Sequence, residues 1–561
     1  MKKYFICLFF TVAALGFTGC NDFLTPESTD SYNESTAFSS EKNAKLYMNS
    51  FYTIINNYGL FGTTYKLLSN DINGSSFLGG CMYVDGLSDI EKCAGSTIGS
   101  NGAVANLYAT TPSLITPDQN SLSIWGDAYT YIRLINQLIN GIDNTAKFEV
   151  NIKTRLKAEA RFFRGYLYFL LMRNHGSVIL MDQLTTEKNH ARSSASACWD
   201  YVAADLDYAA TNLPQVWEST DAGRVTKGAA YAMKSRAMLY AERWQEAYDA
   251  ANKVQAMVAD GTYALNSSYA KAFGSYFGDG NKEAVLEYRY SYPKLTHNFD
   301  FIASPGGDNA GFGGDIQPTQ ELVESYEYAG GGTVDWSAWH SANVTTTPPW
   351  ASLEPRFQAT VLYPGSSWKG RTIEPFEGGK DGWVAYPPAA GSNKGASVTG
   401  YYLRKYVDET HTDLINVKSS QPLVEIRLAE VYLNFAEAAY HLTKTDDANG
   451  AINKVRNRVG LPSLNLSGTT LLDQIKKERK LELACEGHRY WDLRRWKDAV
   501  STLTGLYVHG LKTTDNGGGS YTYDYITCDD APRQFPSKFY AFPIPSSELT
   551  NNPLCEQITG W

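Results

Sequence analysis

From Ile152 onward the apolar positions Leu156, Ala160, Phe163, Leu167 and Leu170 recur at steps of three and four. This spacing predicts a one-faced amphipathic helix that stops at His175-Gly176. The same period predicts helices over 41–58, 121–140, 196–211, 226–240, 243–259, 423–442, 446–459, 469–484 and 486–500, and they fall in pairs. Ala229, Ala230, Ala232, Ala237, Ala241, Ala247, Ala250 and Ala251 surround Tyr240, Trp244 and Tyr248. Small residues let two helices approach closely while rings fill the gaps, the pattern of stacked helical hairpins such as tetratricopeptide arrays, although no strict repeat is present.

Between 261 and 422 the pattern changes. Gly306-Gly307, Gly313-Gly314, Gly330-Gly331-Gly332, Pro348-Pro349 and Pro387-Pro388 punctuate it, and short β-like runs such as Ala284–Tyr290 and Tyr401–Val407 stand between long loops. The fold class expected is mainly α: a tetratricopeptide-like helix-pair scaffold (41–260 and 423–500) carrying a large loop-rich insertion (261–422) with short β-strands. Residues 501–561 are expected to form a C-terminal loop segment. Ordered loops of such length are more often functional than decorative. Five of the twelve Trp lie in the insertion, Trp336, Trp339, Trp350, Trp368 and Trp383. A loop Trp offers a flat face to a ligand or pins its loop to the scaffold, and the first role is expected here. Tyr240, Trp244, Tyr248, Trp491 and Trp496 sit at helix-packing spacing and are expected in the core.

Composition narrows the class. The 561 residues are 43% apolar, 13% aromatic and 19% charged, which excludes a disordered tail, a collagen or a coiled coil. A net charge of −9 argues against a duplex-binding surface, so no nucleic acid partner is expected. The eight His are scattered, with no CxxC pair and no HExxH, so neither a metal nor another cofactor is expected. Asp308, Asn309 and Asp315 in the Gly-rich run from Gly306 lack EF-hand spacing and its terminal Glu, and the run reads as a flexible loop.

Met1-Lys2-Lys3, the apolar run Tyr4–Phe17 and small residues before Cys20 form a secretory signal over 1–19. The run is too short to span a bilayer. Phe17-Thr18-Gly19-Cys20 resembles the lipobox of bacterial lipoproteins, which makes Cys20 the expected lipidation site, 20–40 a tether and 41–561 a single body. Among the remaining cysteines, Cys81 with Cys93 and Cys528 with Cys555 are the short-loop pairing options.

Near the C-terminus, Ile475-Lys476-Lys477-Glu478-Arg479-Lys480-Leu481-Glu482-Leu483 leads into Glu486-Gly487-His488-Arg489-Tyr490-Trp491-Asp492-Leu493-Arg494-Arg495-Trp496. Upstream stand Ala158-Glu159-Ala160-Arg161-Phe162-Phe163-Arg164-Gly165-Tyr166, Gly223–Ala230, Ile426–Leu433 and Asn453–Arg458, and Pro543-Ile544-Pro545 closes the chain. In this order the segments resemble the SusD/RagB family of nutrient-binding outer-membrane lipoproteins. Glu478, Glu482 and Glu486 repeat every four residues near Arg479, Arg489, Arg494 and Arg495, as an interhelical or solvated charged face would.

The resemblance implies a lipid-anchored protein facing the cell exterior, where it captures oligo- or polysaccharide without catalysis. The captured chain would pass to a SusC-like TonB-dependent β-barrel transporter. Some members of the family take peptides instead. It implies a site made of aromatic side chains with polar partners, drawn from the segment Asn70–Tyr83 and from Tyr288–Trp339. Within these, Tyr83, Tyr292, Trp336 and Trp339 are expected to stack on sugar rings, and Asp71 and Asn73 to bind hydroxyls. No Trp precedes Trp125, unlike the starch-binding type, so the ligand class stays open. A glycosidase would need paired carboxylates; Glu321, Glu324, Asp335 and Glu354 are available, but no spacing singles out a pair.

Overall fold

The computed structural model describes residues 38, 40–60, 62, 82–94, 104–275, 277–389 and 394–561. The signal, Cys20, Asp71, Asn73 and Cys81 lie outside them, as does the side chain of Tyr83, whose backbone belongs to the helical turn Met82–Leu87.

Helix accounts for 45% and strand for 10%, so the mainly α reading holds. Besides further short helical segments, the helices are α1 (Glu41–Ser50), α2 (Thr53–Tyr58), α3 (Trp125–Asn144), α4 (Val150–His175), α5 (Ala195–Asn212), α6 (Lys227–Tyr240), α7 (Trp244–Ala259), α8 (Leu428–His441), α9 (Thr445–Arg458), α10 (Gly468–Glu482) and α11 (Arg489–Arg495). From α3 to α7 each helix packs on the next, and α8 packs on α9. Local signals set the ends. Gly176, at φ 77°, stops α4, and the Thr226 side chain caps α6 by accepting from Ala229 N–H at 3.1 Å. The alanines of α6 are buried, and Gly228 lies where a Cβ would meet Tyr263 Oη at 2.2 Å.

Four of the five rings expected in the core are packed in or against it, while Trp496 is half-buried and donates from Nε1 to Glu437 Oε1 at 2.8 Å instead. Trp244 stacks on His441 at 3.8 Å and Tyr248 on Phe435 at 4.4 Å, so α7 docks on α8 although the whole insertion separates them in sequence. Tyr240 meets Phe169 edge-on, and Trp491 is buried.

Four expectations need correction. The 41–58 helix breaks at Phe51-Tyr52, where Ser50 Oγ donates to Tyr47 O at 2.7 Å and Thr53 Oγ1 to Ser50 O at 2.6 Å; such local bonds compete with the helix. Residues 423–427 are strand β4 (Leu423–Arg427), antiparallel to β2 (Ala284–Tyr288), because this buried segment satisfies its backbone across the insertion, as β1 (Glu91–Cys93) does by pairing with β3 (Ile316–Pro318). The 486–500 helix begins only at Arg489, after Cys485 and Gly487 at positive φ. Its start is capped from afar by the buried Asp85 carboxylate, which accepts from Gly487 N–H at 2.8 Å and Arg489 N–H at 3.0 Å. Finally, the C-terminal segment holds the longest strands described, β5 (His509–Asp515) and β6 (Tyr521–Thr527), a hairpin that the Tyr/Thr alternation and the Gly517-Gly518-Gly519 turn could have announced.

The hallmark charges are not solvated. Glu283, Glu327, Glu354, Glu478, Glu482 and Glu486 interleave with Arg356, Lys405, Arg427, Arg456, Arg458 and Lys477. Of these only Lys477 lies more than a tenth exposed at its side chain. A second knot joins Arg236 to Glu425 and Glu430, each at 2.7 Å, and ties α6 to β4 and α8. Buried charges survive only when paired and fully hydrogen-bonded, so these networks fix how the insertion is set into the scaffold.

Candidate functional site

At Lys405 the network lies against a cavity. Lys405, fully covered, donates to Glu486 Oε1 and Tyr269 Oη, both at 2.6 Å, and to Ala484 O at 2.9 Å. Burial lowers its pKa, with Glu486 opposing the shift. Lys405, Tyr269, Phe273 and Tyr406 form the floor of a cavity of about 1110 Å³. It is larger than the cavities of about 530 Å³ beside α3 and about 180 Å³ near Trp217.

The loop from Arg404 to Pro422 makes one wall, and Pro355, Gln358 and Ala359 of a short helix contribute another side. That loop is strapped down. Asp300, buried behind it, accepts from Asp408 N–H at 2.9 Å and pairs with His411 Nδ1 at 2.8 Å. The Asp300 bond raises the His411 pKa, against some burial. Gln421 donates to Tyr406 O at 2.8 Å and Phe273 O at 3.0 Å. These bonds hold Tyr406 at φ 64°, a left-handed conformation that costs an aromatic residue about 1–3 kcal/mol and persists where surroundings impose it.

Of the residues singled out in sequence, Tyr292 is at this cavity, as a residue 59% exposed. Trp336 and Trp339 do not line it. They meet edge-on at 5.5 Å, and Trp339 Nε1 donates to Thr346 O at 2.9 Å. Trp336 is 4% exposed, so its ring is covered, which corrects its assignment as a stacking group. Trp350 and Trp368 are also core residues: Trp350 Nε1 donates to Tyr401 Oη at 3.2 Å, and Trp368 Nε1 to Asp308. Trp339 and Trp383 keep part of their rings in solvent. The Asp308 contact, with Arg371, pins the loop expected to be flexible. Cys528 and Cys555 are separate buried thiols, which corrects that pairing option; Cys81 lies outside the described residues.

The candidate acids are each committed to a partner. Glu321 pairs with His509 at 2.6 Å and Glu324 with His340 at 2.7 Å, Glu354 sits in the buried network at 2.6 Å from Arg356, and Asp335 accepts from Ser337 N–H at 3.0 Å. None lines the cavity. Its own polar groups, Arg404, Asp408 and Glu409, were not singled out because the run Tyr401–Val407 reads as a strand; the one signal was Arg404-Lys405 set among aromatics.

Residues 273–561 match the family model described as SusD family, and residues 86–239 match one described as starch-binding associating with outer membrane. A SusD-like protein of Bacteroides ovatus is 24% identical over 477 residues, covering 78% of this chain and 81% of its own length. Among solved structures, a SusD-like protein of Bacteroides fragilis superposes with a TM-score of 0.77 at 27% identity, covering 94% of this chain and 98% of that one. A SusD-like carbohydrate-binding protein of the same species gives 0.75 at 25% identity, covering 92% and 99%. The chain belongs to the SusD family.

Proposed function

We propose that this protein is a surface lipoprotein, held in the outer membrane through acylated Cys20, that captures oligo- or polysaccharide and passes it to a SusC-like TonB-dependent barrel without catalysis. The carrying observation is the open cavity, whose exposed Tyr292 ring offers an apolar face for sugar C–H groups above a floor locked by the hallmark ion network. The carbohydrate-binding relative from Bacteroides fragilis supports the ligand class. In this reading Tyr292 stacks on the ligand, Asp71, Asn73 and Tyr83 contribute from the first segment, and Trp339 extends the contact outside the cavity.

The test uses protein lacking residues 1–20 in affinity gels and titration calorimetry against plant and host glycans and a peptide library. Glycan binding that Tyr292→Ala weakens about tenfold, without change in melting temperature, is the expected result. Binding confined to peptides would replace the ligand class, and release of reducing sugar by the pure protein would overturn the non-catalytic role.

A further inference from the structure

The cavity wall holds one ion pair that faces the space rather than the core. Arg404 Nε donates to Glu409 Oε1 at 2.7 Å, and Arg404 Nη1 donates to Gln358 O at 3.3 Å. The two side chains are 27% and 40% exposed. Nη2 of Arg404 and Oε2 of Glu409 make no hydrogen bond among the described residues. A spare guanidinium donor therefore stands beside a spare carboxylate acceptor in a fixed geometry. Neighbouring hydroxyls of a sugar ring complement that arrangement, one accepting from the guanidinium while the next donates to the carboxylate.

Charge narrows the ligand further. Glu409 neutralises Arg404, and Lys405 is buried and committed to Glu486. His411 is committed to Asp300. Asp279 and Asp408 add negative charge to the lining, while exposed Lys418 is its remaining cation. A uronate or sulfate entering the cavity would have to displace Glu409 from Arg404 in the presence of Asp408, a built-in penalty against anionic ligands. The volume of about 1110 Å³ exceeds that of sites for single drug-sized molecules and suits several linked rings.

Resting on the capture role proposed above, we infer that the Arg404–Glu409 pair reads a vicinal diol of an uncharged oligosaccharide, so that the site selects neutral over acidic glycans. The test titrates the protein lacking residues 1–20 with β-glucan, α-mannan, xylan and galactan oligosaccharides, and with polygalacturonate and chondroitin sulfate oligosaccharides, at low and high salt. The tightest ligand is expected to be neutral, with affinity changing less than about twofold with salt. Arg404→Ala, Arg404→Lys and Glu409→Gln should each weaken it about tenfold or more. Lys418→Ala should leave it unchanged, and Glu409→Gln should strengthen whatever acidic binding exists. Circular dichroism and melting temperature confirm folding, and the Lys variant keeps the charge should the Ala variant misfold. An acidic glycan as the tightest ligand, or neutral binding that Tyr292→Ala abolishes while all three pair variants bind as wild type, overturns the inference and leaves capture standing. Wild-type protein that binds no glycan overturns the capture reading, and the inference with it.

Discussion

Replacing Arg427 by Met tests whether the buried network holds the insertion to the scaffold. All five guanidinium N–H groups are used: Nε to Glu486 at 2.9 Å, Nη1 to Glu283 at 3.0 Å and Glu482 at 2.6 Å, and Nη2 to Glu482 O at 2.6 Å and Glu486 at 2.7 Å. Methionine fills much of the volume but leaves three covered carboxylates short of one positive charge. Arg458 still serves Glu283 and Glu482, and Lys405 still serves Glu486, so the charges are under-compensated rather than orphaned. Breaking one side of a buried pair costs about 3–5 kcal/mol. With an unfolding entropy of ~2.1 cal/mol/K per residue over ~500 residues, ~4 kcal/mol lowers the melting temperature by ~4 °C. Calorimetry and denaturant titration read the loss. Adding Glu486→Gln to Arg427→Met should return at least about 1 kcal/mol of coupling, because it removes one of the uncompensated charges. An Arg427→Met protein within about 1 kcal/mol of wild type, or a double variant that is simply additive, would refute the reasoning.

Acid should withdraw two contributions to stability. Burial lowers the His175 pKa to about 4, so from pH ~6.5 to ~4 the unfolded chain binds a proton that the folded one does not, and this contribution falls as pH falls. Asp85, raised by burial to about 7, opposes it over that range, so the His175 share is read as the difference between wild type and His175→Gln. Burial would raise the Glu437 carboxyl, but Arg495 and Arg479 more than offset it and hold it at about 2. Its contribution of ~3 kcal/mol is complete above pH ~4.5 and lost on descent toward pH 2, which a pH series of denaturation midpoints would show. Gly400→Ala should cost at least about 2 kcal/mol, since Gly400 sits at φ 86° with a Cβ position 2.3 Å from Leu511 O, and thermal melts check it. Trp350→Ala should cost about 3–5 kcal/mol as a core deletion, whereas Trp339→Ala, at a partly exposed ring, should cost less than about 2 kcal/mol; equal losses in denaturant titrations would contradict the burial of Trp350.

The helix pairs were legible because their signals are local. The period of apolar residues in α4, the Thr226 cap and the alanine stripe of α6 each act within a few turns, and the structure keeps all three. Ring spacing likewise put Trp244 and Tyr248 at helix contacts, although not the identity of their partners, His441 and Phe435. Burial of Trp336, Trp350 and Trp368 escaped the sequence for a reason of the same kind. Whether a loop ring meets ligand or core depends on what folds over it, and Trp350 is covered by Tyr401 and Tyr523, distant in sequence.

By itself the sequence determined the mainly α body, most of its helix limits within a turn and, through the ordered motifs, the family. The tertiary structure alone decided that β4 is a strand, that Asp85 starts α11, and that the hallmark carboxylates are buried. It also decided that Arg404, Glu409 and Tyr292 border one cavity while Trp336 does not. Periodicity and capping are short-range and can be read along the chain. The β2–β4 pairing and the ion pairs between insertion and scaffold join segments more than a hundred residues apart, as Arg427 and Glu283 are, and exist only once those segments meet.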